Sequence, residues 1–158
     1  MSAARIFQIN ISDGGVPKLP VPRAEISASG VTGDRQNNLE FHGGPDRAVC
    51  LFSLERIMAL QAEGHPVYPG STGENLTVSG LDWEAMVPGT RLVVGGAATL
   101  EITSYTTPCK TIGQSFADGK STRISQKAHP GWARLYARVI EPGQVAIGDV
   151  VGPAEIIG

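Results

Sequence analysis

A cysteine followed at once by a lysine closes the segment Thr106-Thr107-Pro108-Cys109-Lys110. A thiolate is a nucleophile and a soft metal ligand, and a neighbouring ammonium favours that form of the thiol. Pro108 cannot donate to a sheet ladder, so the chain leaves the sheet here and Cys109 stands at a strand end or in a loop. The competing reading is a small buried hydrophobe, a common fate of unpaired cysteine. Cys50 lies inside the apolar run RAVCLF (47–52), where the core reading prevails. The two cysteines make no C-x-x-C pair.

Four glycine-rich segments offer further groups. In His42-Gly43-Gly44-Pro45-Asp46-Arg47 the glycines allow close approach of backbone to an anion, and Arg47 has the fork that binds phosphate. His42 there is a candidate acid or base near neutral pH. The loop 68–76 (YPGSTGENL) carries glycines and hydroxyls, but Glu74 stands where a P-loop needs lysine. Gly30–Arg35 (GVTGDR) is a turn ending in an arginine, and 129–138 places His129 near Arg138. Each is equally an ordinary solvated turn. Trp132 reads as a core or rim anchor, and His65, beside Pro66, as loop surface. Histidines at 42, 65 and 129 lack metal-ligand spacing, and neither H-E-x-x-H nor G-x-S-x-G occurs.

These groups need a scaffold. Phe7, Ile9 and Ile11 alternate with polar residues, as do Leu100 and Ile102, which reads as half-buried strand. The runs 47–52 and 91–94 have strand length, and Gly95-Gly96 marks a hairpin. Residues 76–78, 137–140 and 150–157 are further strand candidates. Ser53 as N-cap, Glu55 in the first turn, the spacing of Leu54, Ile57, Met58 and Gln61, and a closing Gly64 predict one helix. A second, weaker helix is expected within 122–128 or 132–138. Seven or eight short strands predict a mostly β fold, a barrel or a sandwich, in one domain spanning 1–158.

The 158 residues are enough for one core. Hydrophobic residues make up 41% and the net charge is −2, which excludes a disordered chain. Two cysteines exclude a disulfide framework. The near-neutral balance without a basic block argues against nucleic acid as a partner. No run reaches the roughly 20 apolar residues of a membrane helix, and no signal peptide is recognisable. A cytoplasmic protein with reduced thiols is expected.

Taken in order, GVTGDRQ (30–36), HGGPDRAVCLFSLE (42–55), YPGSTGENLTVSGLD (68–82), TTPCK (106–110) and HPGWARLYARVIEPGQVAIGDVV (129–151) resemble the MOSC domain family. That family is named for the C-terminal domain of molybdenum-cofactor sulfurase. The resemblance covers about residues 5–152 and is nearest to small stand-alone bacterial members and to the MOSC part of the N-hydroxylaminopurine resistance proteins. It implies a closed or nearly closed β-barrel with short peripheral helices. It also implies a bound molybdenum cofactor (molybdopterin), with Cys109 as the sulfur ligand to molybdenum or as a persulfide carrier. On this mapping Arg35, Arg47 and Arg138 are candidates for the pterin phosphate or for fixing the loops, with Lys110 a further cofactor-binding candidate. His42, Glu74 and Asn75 would line the pocket, with His42 as proton donor.

Three functions follow. The first is a molybdenum-dependent oxidoreductase acting on N-hydroxylated small molecules. Two cysteines cannot hold an iron–sulfur cluster, so a separate electron-donor protein is expected. The second is a non-enzymatic carrier of sulfur or cofactor, exchanging with donor and acceptor proteins through Cys109. The third is a metal-free cysteine enzyme with His42 or His129 as base. A barrel that has lost its chemistry is the bland alternative. A deep cleft lined by Arg47, Asn75 and Arg138 would favour the enzyme, and an exposed Cys109 without a cleft the carrier.

Overall fold

The computed structural model describes residues 3–35 and 44–154. His42 therefore lies outside the described residues. In chain order the elements are β1 (Ala4–Ile11), β2 (Leu19–Val21), β3 (Arg23–Ser27), β4 (Gly30–Val31), β5 (Val49–Ser53), α1 (Leu54–Ala62), β6 (Leu76–Ser79), β7 (Arg91–Val94), β8 (Ala98–Tyr105), β9 (Leu135–Glu141), β10 (Gly143–Ala146) and β11 (Val150–Pro153). Four short 3-10 turns are interspersed, at Pro45–Arg47, Trp83–Ala85, Lys110–Ser115 and Ser121–Ile124.

The mostly β architecture is a barrel rather than a sandwich. Strands β11, β7, β8, β9, β5, β6 and β1 follow one another by hydrogen bonding, and β11 pairs back onto β1. The ring thus has seven strands and no free edge, apart from the short β2 appended to β1. A second sheet, β10-β3-β4, packs beside it. All ring pairings are antiparallel except β5 with β6, which α1 connects.

Local sequence accounts for most of this. Ala98, Leu100 and Ile102 of β8 point into the core while Thr99, Glu101 and Thr103 stay at least partly exposed, the alternation a half-buried strand requires. Gly95 and Gly96 both take positive φ (65° and 68°) and close the β7–β8 hairpin, a conformation that suits two glycines. Helix α1 starts where Ser53 Oγ accepts from Arg56 N at 3.1 Å, and it buries Ile57 and Leu60 while Met58 stays exposed.

Three expectations are corrected. In β1 the buried residues are Ala4, Ile6, Ile9 and Asn10, while Phe7 is exposed and Ile11 half-buried. A register shift against β6 between Ile6 and Gln8 resets the inward frame, so the strict alternation of 7, 9 and 11 fails. Residues 132–138 are not helical. Leu135 and Ala137 enter the core from β9 while Tyr136 faces away, a period of two. The stretch 122–128 holds only the end of the short turn Ser121–Ile124. The last strand stops at Pro153, and residues 155–158 are outside the described set.

A buried polar network sits under the loop that leads into β6. Asn10 of β1 donates through Nδ2 to Glu74 O and Thr77 Oγ1, both at 3.1 Å. Asn75 Nδ2 donates to Asp34 Oδ2 at 2.9 Å, and Asn75 Oδ1 accepts from Cys50 N at 3.0 Å. The Glu74 carboxylate accepts from Gly70 N, Thr72 Oγ1 and Thr77 Oγ1. Gly70 has φ 89°, and a Cβ there would meet Lys18 O at 2.4 Å, so the loop requires glycine at this crossing.

Two outcomes are expected from this packing. Phe52, fully buried against Trp83, should cost about 3–5 kcal/mol as Phe52→Ala, whereas Phe7→Ala should stay within about 0.5 kcal/mol, both measured by urea unfolding. Burial pushes the Glu74 carboxyl above its ordinary value of 4.5, against the opposing pull of its hydrogen bonds and of Arg134. The folded chain holds that proton after the unfolded chain has released it. Its contribution is thus fully present below the ordinary value and is lost as pH rises toward the raised one. Thermal unfolding from about pH 4 to 7 should show wild type losing ground to Glu74→Gln as pH rises. A pH-independent difference would contradict this.

Candidate functional site

Cys109 stands just beyond β8, whose last residue is Tyr105, as the position of Pro108 required. Its carbonyl accepts from Ser121 Oγ at 3.1 Å, which ties the segment after β8 to the turn Ser121–Ile124. The thiol is half-buried, and its Sγ lies 2.7 Å from Thr111 Oγ1.

The thiol opens into a cleft of about 670 Å³. Its walls come from the segment 104–112, the start of β9, the first half of β5, the loop before β6 and the connection from β1 to β2. Among the described residues that line it, Lys18, Arg35, Arg47, Lys110 and Arg134 are cationic and none is acidic. The cations differ in how they are held. Lys18 Nζ contacts Asp34 Oδ2 at 2.5 Å, with both side chains buried. Arg35 pairs with Asp13 at 2.8 Å on the surface. The Arg47 guanidinium lies 5.8 Å from the centre of the Tyr136 ring. Arg134 is only 4% exposed, and its Nη1 donates to Thr72 O.

The floor is neutral. Cys50 and Tyr136 are register partners on β5 and β9 and both face the cleft. Burial pushes both the Cys50 thiol and the Tyr136 phenol up, so each keeps its proton at neutral pH. Cys50 Sγ lies 3.8 Å from Thr106 Oγ1. Cys50 is thus buried, as its apolar neighbours implied, and it also forms part of the cleft wall.

The sequence-derived candidates separate into two groups. Cys109, Arg35, Arg47 and Lys110 come together on the cleft. Glu74, Asn75 and Arg138 do not line it. Glu74 and Asn75 are fully buried, and their polar atoms bond to protein, as described above. Arg138 projects from β9 on the outer surface and donates to Glu101 on the neighbouring strand, with Asp46 at 3.8 Å. That arginine, with Arg91, holds the Glu101 carboxyl below its ordinary range. His65 also departs from the loop-surface reading. Its Nδ1 accepts from Ala117 N at 3.1 Å and its ring meets Phe116 edge-on, so it anchors the segment after Cys109. Trp132 is a rim anchor, covered by the guanidiniums of Arg56 and Arg123 at 4.6 and 4.0 Å from its ring centre.

Arg134, Tyr136 and Lys18 were missed. A period-2 reading of ARLYARV would have put Leu135 and Ala137 in the core and left Arg134 and Tyr136 on the opposite face. No histidine among the described residues lines the cleft, and no three His, Cys, Asp or Glu side chains among them group as a metal site.

Comparison with known proteins agrees with this architecture. The chain is 30% identical over 136 residues to the uncharacterized protein YflK of Bacillus subtilis, and 30% over 126 residues to the protein YiiM of Escherichia coli. These alignments take in 85% and 77% of this chain but only 60% and 54% of those relatives. The crystal structure of YiiM from Geobacillus stearothermophilus superposes with a TM-score of 0.77 at 21% identity, covering 96% of this chain and 75% of that one. The YUAD protein of Bacillus subtilis superposes at 0.76 and 20% identity, covering 95% and 94%. At such identities the likeness speaks for the fold. No helix among the described residues is long and apolar enough to cross a membrane. A family model matches residues 38–152, from before β5 to the end of the barrel ring in β11, and the chain belongs to the MOSC domain family.

Proposed function

We propose that the chain binds the molybdenum cofactor in the Cys109 cleft and is the catalytic component of a reductase for N-hydroxylated small molecules. The observation that carries this reading is a half-buried thiol opening into a substrate-sized, cationic cleft with no acidic residue among its described lining. A thiolate is a soft ligand suited to such a metal, and the positive lining suits an anionic cofactor. The residues present therefore fit the group. Cys109 would hold the metal, and Arg47 and Lys110 would neutralise the phosphate. When bound, the cofactor would supply redox-active metal chemistry for reduction of an N–O bond.

The chain's own groups do the rest. Tyr136 and Cys50 keep their protons at neutral pH and give the floor uncharged donors rather than repelling anions. Electrons would come from a group outside these 158 residues, whose two cysteines are too few for a cluster. The second reading is a carrier of sulfur or cofactor through Cys109. It is favoured by the partial exposure of that thiol, and opposed by the size of the cleft.

The test is the molybdenum and pterin content per chain after anaerobic purification from a host that makes the cofactor. Near-stoichiometric metal in wild type and a loss of tenfold or more in Cys109→Ala are expected. Metal absent from both would overturn the reductase reading. Mass spectrometry would then show whether Cys109 carries a persulfide.

A further inference from the structure

Arg134 is the last residue before β9, and its main chain extends the sheet by one bond, Thr106 N donating to Arg134 O at 2.9 Å. Its direction is thereby fixed. The side chain is 4% exposed and lines the cleft. Nη1 is anchored to Thr72 O, on the loop that Glu74 holds from below. Nε and Nη2 are buried and have no hydrogen-bond partner among the described residues.

Those two nitrogens form one edge of the guanidinium, the fork that grips two oxygens of a carboxylate or phosphate. The same protein shows that edge filled elsewhere. Arg123 donates through Nε and Nη2 to the two oxygens of Glu63, at 2.9 and 2.7 Å. Among the described residues, Arg134 has no such carboxylate. Glu74 feels its charge, but both Glu74 oxygens accept from Gly70, Thr72 and Thr77. A buried charged donor left unsatisfied is costly, and native proteins rarely keep one without a use.

We infer that the open edge of Arg134 is an oxyanion subsite on the cleft floor, built to grip two oxygens of a tetrahedral anion of the phosphate class. The cleft wall beside it holds the neutral thiol of Cys50 and the neutral phenol of Tyr136, and no acidic residue among the described lining opposes an anion. The subsite requires neither Cys109 nor a metal, so it stands or falls apart from the reductase reading. A free inorganic anion and the phosphate of an organic monoester share this chemistry.

The experiment titrates the full chain with inorganic phosphate, following thermal unfolding and calorimetric heat. Chloride at matched ionic strength is the control. Saturable stabilisation of wild type is expected, kept in Cys109→Ala and weakened about 10- to 100-fold in Arg134→Met. Arg134→Lys keeps the charge without the fork and should fall between. Phenyl phosphate separates the sources. Binding as tight as inorganic phosphate, with the same Arg134 dependence, identifies a monoester site, and binding of inorganic phosphate alone identifies a free anion. Equal titration of wild type and Arg134→Met would overturn the inference, as would stabilisation that chloride reproduces. If Arg134→Met does not fold, wild-type crystals soaked in tungstate decide the matter. An anomalous peak within about 4 Å of the Arg134 guanidinium supports the site, and peaks only elsewhere refute it.

Discussion

The closure of the sheet through β1 is the constraint on which the site depends. One edge of β1 is divided between two partners, Ala4 and Arg5 pairing with β11 and Ile9 to Ile11 with β2. The other edge pairs with β6. The irregularity between Ile6 and Gln8 lets one strand serve both directions, since a bulge bends a strand and raises its twist. Once the ring is closed, residues distant in sequence are brought onto one rim. Cys50, Thr72, Cys109 and Arg134 come from four separate segments, and no local motif could have assembled them.

Closure also forces polar chemistry inward. The loop 70–75 crosses the β1–β2 connection so closely that Lys18 N donates to Gly70 O at 2.9 Å. Its backbone and the side chains of Asn10, Glu74 and Asn75 are buried, so each polar atom needs a protein partner. The network supplies them, and in doing so fixes Thr72 O, the acceptor for Arg134 Nη1. The same Asn75 holds Asp34, the counter-ion of Lys18. Two of the cleft's cations are thus oriented by one set of buried amides and carboxyls, which act as positioning groups.

This explains which parts of the molecule were legible in advance. The barrel could be read because strands with one buried face carry their burial as alternation, as β8 does, and because Gly95-Gly96 marks its own turn. Cys109 could be placed because Pro108 forbids continuation of β8. Glu74 and Asn75 resembled pocket residues because a polar group in a glycine-rich loop looks the same whether its partner is a ligand or the protein's own backbone. Only the closed ring decides between these. Arg138 misled for a related reason. It lies on the same alternating face of its strand as Arg134 and Tyr136, but farther along, where Glu101 of the neighbouring strand meets it.

The choice between catalyst and carrier turns on what can reach Cys109. A carrier must present its loaded sulfur to another protein's active site, which favours a thiol that protrudes. A thiol half-buried beside Thr111, on the wall of a cleft of about 670 Å³, is reached most easily by a small molecule that enters the cleft. The lining selects further. The described lining has five cations and no acid, with Lys18 and Arg35 paired to Asp34 and Asp13 behind it. Such a lining over a floor of neutral Cys50 and Tyr136 suits an anion. A carrier of sulfur alone has no need of such a lining. A protein that retains an anionic cofactor and admits a second, small reactant needs both the charge and the space.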